Sequence, residues 1–80
     1  MNTYDFVVDG INRFYAKHGK RPKSVVLSPP SYRELLGDER LRMSMDSYKE
    51  GNLQFYGATI VQQRGAIAHF VAEEGWTENL

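Results

Sequence analysis

The sequence predicts an α+β protein, a two-layer sandwich with one long N-terminal helix, one or two short helices and a sheet of three or four strands ending in an antiparallel hairpin. Three observations predict this class. Apolar residues near the N-terminus recur at spacings of three and four, the period of a helix. A short β-branched run follows, and the last third of the chain consists of short apolar segments around glycines. Eighty residues suffice for one small core, so we expect a single domain spanning residues 1–80.

The first predicted element is a helix from about Tyr4 to His18. Thr3 is the expected N-cap, and Gly19 is the expected left-handed residue after the last turn. Gly10, in the middle of the helix, costs about 1 kcal/mol relative to alanine, so we expect another element to pack closely there. The predicted buried stripe comprises Tyr4, Val7, Val8, Ile11, Phe14, Tyr15 and His18.

The middle of the chain predicts a central strand followed by short helices. Ser24 to Leu27 is apolar on both faces, which favours a strand with neighbours on each side. Ser28 is suited to cap the next helix, and Pro29 suits its first position because its missing N–H needs no partner there. A further helix is predicted from Asp38 to about Gly51. Its buried stripe comprises Leu41, Met45 and Tyr48.

The last third of the chain predicts strands. Leu53 to Tyr56 is a short strand, followed by a bulge or bend at Gly57. Ala58 to Gln63 and Ala66 to Ala72 are predicted to pair as a hairpin around Arg64-Gly65, with positive φ at the glycine. Both faces of this hairpin carry apolar side chains, so the pattern leaves open which face is core.

One segment supports a family resemblance. A short strand runs through a Ser-Pro turn into a helix with an aromatic residue and a leucine, and a strand opened by glycine follows. The pieces are Val25-Val26-Leu27, Ser28-Pro29, Tyr32, Leu35 and Gly57 to Val61. This order, over roughly Pro22 to Gln63, resembles the core, A-domain-like segment of the major capsid proteins of tailed bacteriophages. The resemblance implies a small phage or prophage protein with a related domain. The chain is too short for the extended arm and long loop with which such proteins tile a shell, and it has Thr59 where the family often has proline.

Residues that could carry chemistry are scattered along the chain. His18 and His69 lie in different segments, and neither has a second ligand at helical or strand spacing. No serine lies in a Gly-x-Ser-x-Gly elbow, and no glycine pattern matches a phosphate-binding loop. The chain has no cysteine. We therefore expect no enzyme, with no catalytic, metal-binding or cofactor-binding residues.

Four fixed positive charges lie at and after the end of the predicted helix, at Lys17, Lys20, Arg21 and Lys23. They could contact the phosphates of a nucleic acid, or they could form a solvated loop that complements the helix C-terminus. Ten basic and ten acidic residues cancel over the whole chain, so the high pI of a dedicated nucleic-acid domain is absent. A weak nucleic-acid-binding module that uses this loop is the alternative function.

The main functional prediction is a small non-enzymatic interaction protein of the phage or prophage type. It would act by self-assembly, or by docking on and occluding a host or viral protein such as a defence complex. Tyr56, beside Gly57, and Trp76, in a polar tail, are the predicted partner-binding residues because aromatic side chains are enriched among interface anchors. The tail, residues 73–80, is expected to fray.

The sequence also predicts where the protein acts. No apolar run approaches the roughly 20 residues that cross a bilayer, and the N-terminus lacks the pattern of a signal peptide. We therefore expect no membrane partner and a location in the cytoplasm of the host cell or in the virion.

Overall fold

The structure is a computed structural model and describes residues 2–43, 48–49 and 52–79. Its elements in chain order are α1 (Thr3–His18), β1 (Ser24–Leu27), α2 (Pro29–Leu36), α3 (Glu39–Met43), β2 (Tyr48–Lys49), β3 (Asn52–Phe55), β4 (Ala58–Gln62), β5 (His69–Val71) and β6 (Thr77–Asn79). The helices pack on one face of a mixed sheet, so the predicted α+β class is confirmed. Among the described residues, none of the helices is both long enough and apolar enough to span a membrane.

The strands form one sheet in the order β2-β3-β4-β1-β5-β6. β1 lies in the interior of the sheet, where it pairs parallel with β4 and antiparallel with β5. Its position follows from its composition, since Val25, Val26 and Leu27 are all buried. The sheet is wider than the three or four strands predicted. Five strands have three or more residues, and β2 adds a two-residue edge.

The hairpin predicted around Arg64-Gly65 is wrong, because β1 lies between β4 and β5. Val26 pairs with Val61 on one side and with His69 on the other. Gly65 has the predicted positive φ, at 75°, but within a longer connection. β1 is apolar on both faces and therefore takes an interior position with a neighbour on each side. The turn signal at Arg64-Gly65 does not reveal that β1 lies between the two strands it connects.

Two antiparallel hairpins are present in other places. β3 and β4 are joined by Tyr56-Gly57, with φ of 53° and 80°, which matches the two left-handed residues of a type I′ turn. β5 and β6 pair antiparallel, with Phe70 opposite Glu78. The prediction that residues 73–80 fray is therefore wrong for residues 77–79. The Trp76 ring, which stacks on Phe14 with ring centroids 5.6 Å apart, ties this hairpin to the core.

α1 has the predicted extent, with a different cap. The Asn2 side chain, and not Thr3, accepts a hydrogen bond from the Asp5 N–H at 2.9 Å. Gly19 ends the helix in the left-handed conformation, as predicted. The residues that α1 buries are Val7, Gly10, Ile11 and Phe14. Tyr15 of the predicted stripe is instead 54% exposed, because it lies a hundred degrees round the helix from Phe14.

The two short helices differ in how well the sequence predicts them. α2 begins at Pro29 with Ser28 at the N-cap position. α3 begins after Asp38, whose carboxylate accepts from the Arg40 N–H at 2.9 Å. The helix predicted to continue to about Gly51 is wrong, since Tyr48–Lys49 forms β2 against β3. Of the predicted stripe, Leu41 is buried, while Met45 and the Tyr48 side chain lie outside the described residues.

The core lies between the helices and one face of the sheet. This identifies the core face of the last strands, which the sequence pattern did not decide. The inward row across four neighbouring strands comprises Leu53, Ile60, Val25 and Phe70, each at most 4% exposed. α1 crosses this face from the β3 side, where the Tyr4 and Phe55 rings lie 5.2 Å apart, to the β5 side. There the Phe14 and Phe70 rings lie 5.3 Å apart. Among the described residues, no helix lies on the opposite face of the sheet.

Candidate interaction surface

The sheet face that points away from the helices, here called the open face, consists of two rows of side chains. The strand register places the described members of one row at Gln54, Thr59, Ser24, Val71 and Thr77. The register places those of the second row at Lys49, Asn52, Val61, Val26, His69 and Asn79. These eleven positions bring together parts of all six strands that are far apart in the chain.

Of the eleven described positions on the open face, Lys49 on the edge strand β2 is the single Asp, Glu, Lys or Arg. A quarter of the chain is charged, so a solvated sheet face would be expected to hold several such residues. In an antiparallel sheet with one face in water, the outward positions are ordinarily polar. Depletion of charge with apolar residues at the centre is instead typical of the buried part of protein interfaces.

The middle of the open face is apolar. Val26 is only 5% exposed although it does not belong to the core cluster under the helices. Val61 beside it is 36% exposed, and Val71 is half-buried. At the end of the face, the His69 Nδ1–H donates to the Ile67 carbonyl oxygen at 2.7 Å, and the Ile67 side chain is 78% exposed.

The structure does not bring the two sequence-predicted partner residues together. Tyr56 lies in the β3–β4 turn, where its ring contacts Phe55 at 4.6 Å, near the N-terminal end of α1. Burial, together with the neighbouring Tyr56, raises the pKa of Tyr4. Trp76 lies near the other end of α1, between Phe14 and His18. Tyr56 is 40% and Trp76 is 39% exposed, so each ring keeps part of its surface in water while packing on the core.

The basic cluster, which comprises Lys17, Lys20, Arg21 and Lys23, is partly neutralised by glutamates of the β5–β6 hairpin. Lys17 Nζ donates to Glu78 Oε1 at 3.1 Å, His18 Nε2 donates to the same oxygen at 3.2 Å, and Lys20 pairs with Glu74. The Lys17 hydrogen bond, followed by that from His18, holds the pKa of Glu78 below its usual range. The Lys20 hydrogen bond does the same for the pKa of Glu74. Within the described part of the chain, Arg21 and Lys23 form no ion pair.

Charge elsewhere is concentrated on the helix side. The Arg40 guanidinium pairs with Asp5 at 2.8 Å and with Asp38 at 3.0 Å, and it lies over the Tyr4 ring at 4.2 Å. The hydrogen bond from Arg40 lowers the pKa of Asp38. The Glu34 carboxylate accepts the Thr3 N–H at 2.7 Å, which lowers the pKa of Glu34 and ties α2 to the start of α1.

Within the part of the chain that the structure describes, one groove beside α1 is apolar, and Lys17 and Glu78 line a second. Among the described residues, no group of three or more metal-ligating side chains could hold a metal ion. The apolar groove beside α1 has a volume of about 140 Å³. Its lining comprises Asn2, Thr3, Phe6, Val7, Leu27, Ser31 and Ala68. Because none of these side chains titrates near neutral pH, the groove supplies no general acid or base.

Comparison with known proteins finds no matching family model, no matching curated protein and no matching solved structure.

The open face was missed by sequence reasoning because its residues become neighbours only in the sheet. The incorrect hairpin placed Val61 and Phe70 on one face and Ile60, Ile67 and Val71 on the other. In the structure Val61 and Val71 share the open face, while Ile60 and Phe70 lie in the core. The available signal was the absence of fixed charge from Ala58 to Gln63 and from Ala66 to Ala72.

Proposed function

We propose that this protein is a small non-enzymatic interaction module that acts by presenting the open face of its sheet to a protein surface. The single observation that carries the proposal is the low charge of the open face, whose centre holds Val26, Val61 and Val71 and whose one charged described position is Lys49 at the edge. Interface cores are depleted of charged residues, and exposed apolar patches on small proteins mark interaction sites. A partner surface that is apolar and uncharged at its centre fits this face.

The phage or prophage assignment belongs to the same proposal and rests on the sequence resemblance over roughly Pro22 to Gln63. A module of this kind would act in the host cytoplasm or in the virion, by self-assembly or by occluding a host or viral protein. Tyr56 and Trp76 remain proposed partner-binding residues at the margins of the molecule. Trp76 also stacks on Phe14, so its replacement would weaken the fold as well as any contact.

Site-specific photo-crosslinking in a bacterial host tests the proposal. A photoreactive amino acid replaces Val61 on the open face or, as the matched control, Arg13 on the outer side of α1, whose side chain is 67% exposed. We expect a discrete covalent adduct with one protein from position 61 and none from position 13. Adding Val71→Lys, on the same face, should abolish the adduct, while adding Tyr15→Lys should leave it intact.

Two outcomes contradict the proposal. One is the absence of any discrete adduct from position 61. The other is an adduct pattern that is the same from positions 61 and 13, which would indicate random collision. The mass of a discrete adduct separates self-association from a different partner, because a second copy of this chain adds 9.2 kDa.

A further inference from the structure

We propose that the occupant of the open face is a second copy of this chain, packed sheet against sheet about a two-fold axis near β4 and β1. This inference rests on the proposed function, and it identifies the partner. Face-to-face packing of two sheets places their inner side chains between layers about 10 Å apart. Val26 and Val61 would lie at the centre of such a contact and Ile67 at its margin.

The charge distribution favours a second copy. In a two-fold contact the same patch lies on both sides, so any fixed charge near the axis meets its own like charge. Like charges that face each other across an interface repel, which disfavours a two-fold contact centred on charged residues. The described open-face positions of β3, β4, β1, β5 and β6 carry no fixed charge, and Lys49 lies on the edge strand β2, away from the axis. The formal net charge of zero also removes long-range repulsion between copies.

Other described surfaces are less suited to a two-fold contact. The outer side of α1 carries Asp9, Arg13 and Lys17, whose charges would have to be desolvated or matched. The exposed side of α2 carries Arg33 and Glu34. Only a partner of complementary pattern fits such faces, whereas the open face is complementary to itself through its apolar centre.

The size of the face sets the expected strength. The molecule measures 29 × 28 × 27 Å, so one whole side presents at most about 800 Å², the area per partner in an interface of standard size. The apolar centre occupies only part of that side, and polar Gln54, Thr59 and Asn79 surround it. We therefore expect dissociation constants in the micromolar range, at the weak end for contacts of this area.

Sedimentation velocity over about 1 µM to 1 mM tests the proposal on the purified chain, a range that brackets the expected affinity. We expect the wild type to shift from monomer to dimer. Val61→Lys and Val61→Glu should each raise the dissociation constant at least about tenfold, because identical charges then face each other near the axis. An equal mixture of these two variants should dimerise again, since Lys then faces Glu.

The mixture keeps the test independent of folding, because a variant that fails to fold does not recover when mixed with another. Val61 is 36% exposed, so either side chain can reach water in the monomer. Tyr15→Lys, at an exposed position of α1, is the control and should dimerise like the wild type. A wild type that stays monomeric throughout the range overturns the proposal, as does a dimer that neither Val61 variant weakens. If position 61 nevertheless crosslinks to a different protein in the host, the proposed function stands and only the second-copy assignment is lost.

Discussion

Backbone conformation at Tyr56-Gly57 determines how β3 and β4 meet. Both residues have left-handed φ, which glycine adopts freely and tyrosine adopts at a cost. A Cβ added to Gly57 would lie 3.6 Å from Arg21 Cδ, which is an ordinary contact. The requirement for glycine at this position is therefore set by φ and not by space.

Gly57→Ala should lower the free energy of unfolding by about 1–2 kcal/mol, the cost of a left-handed residue that has a Cβ. Gly37→Ala is the matched control, because Gly37 at the end of α2 has a right-handed φ of −81°. A Cβ there makes only ordinary contacts, at 3.6 Å or more. The control should be neutral or slightly stabilising. Urea denaturation of both variants measures the difference, and equal stability of the two would contradict the assigned turn.

At the scale of elements, ion pairs join the C-terminal end of α1 to the β5–β6 hairpin. Lys17 and His18 on the last turn of the helix both bind Glu78 on β6. Lys20, just beyond the helix, binds Glu74 before β6. These contacts hold the polar tail against the end of α1 as an edge strand. The cations themselves lie near the negative end of the helix dipole, where positive charge is favourable.

The depressed pKa of Glu78 gives stability a dependence on acid pH. A carboxyl group whose pKa is lower in the folded state stabilises the fold above its unfolded pKa, and this stabilisation is lost as pH falls through the folded pKa. We expect the wild type to lose stability below about pH 4.5, the usual glutamate value. Glu78→Gln should show a shallower loss over the same range, because the glutamine does not titrate.

Thermal melts from pH 7 down to about pH 3, which spans ordinary carboxyl pKa values, measure this dependence. Glu73→Gln, an exposed neighbour in the same hairpin, is the control and should keep the wild-type slope. The ion-pair assignment is wrong if Glu78→Gln has the same slope as the wild type. Because the pairs are partly exposed, salt should also reduce the difference between Glu78→Gln and the wild type at neutral pH.

At the scale of the whole molecule, charge is segregated between the two sides of the sheet. The helix side and the connecting loops carry the ion pairs, while the described part of the open face carries one fixed charge, at Lys49 on the edge strand. This separation of charge favours protein association over nucleic-acid binding as the proposed function. Two of the four cations in the basic cluster are already paired with glutamates of the same chain.

We expect wild-type protein to bind DNA or RNA no more tightly than the roughly 10⁻⁴–10⁻⁶ M of non-specific contacts at physiological salt. Combining Glu74→Gln with Glu78→Gln frees Lys17 and Lys20, and should tighten this binding in a salt-sensitive way. A mobility-shift titration compares these proteins with a variant in which Lys20, Arg21 and Lys23 are alanine. Nanomolar affinity in the wild type that the triple variant lacks would make the nucleic-acid function the better one.

Several features could be predicted from the sequence because each depends on local chemistry. Helix α1 follows from apolar spacing and from Gly19, and the start of α2 follows from Ser28-Pro29. The interior position of β1 follows from its doubly apolar composition.

Only the tertiary structure decided the partners of each strand and therefore the faces of the sheet. β1 enters between β4 and β5, so Val26 comes to lie between Val61 and His69, which are distant in the chain. Trp76, in a segment whose local sequence predicts fraying, orders β6 by stacking on Phe14. Local periodicity records which residues of one strand share a side, while the identity of the neighbouring strand depends on contacts between remote segments. For this reason the open face and its low charge became visible only in the folded sheet.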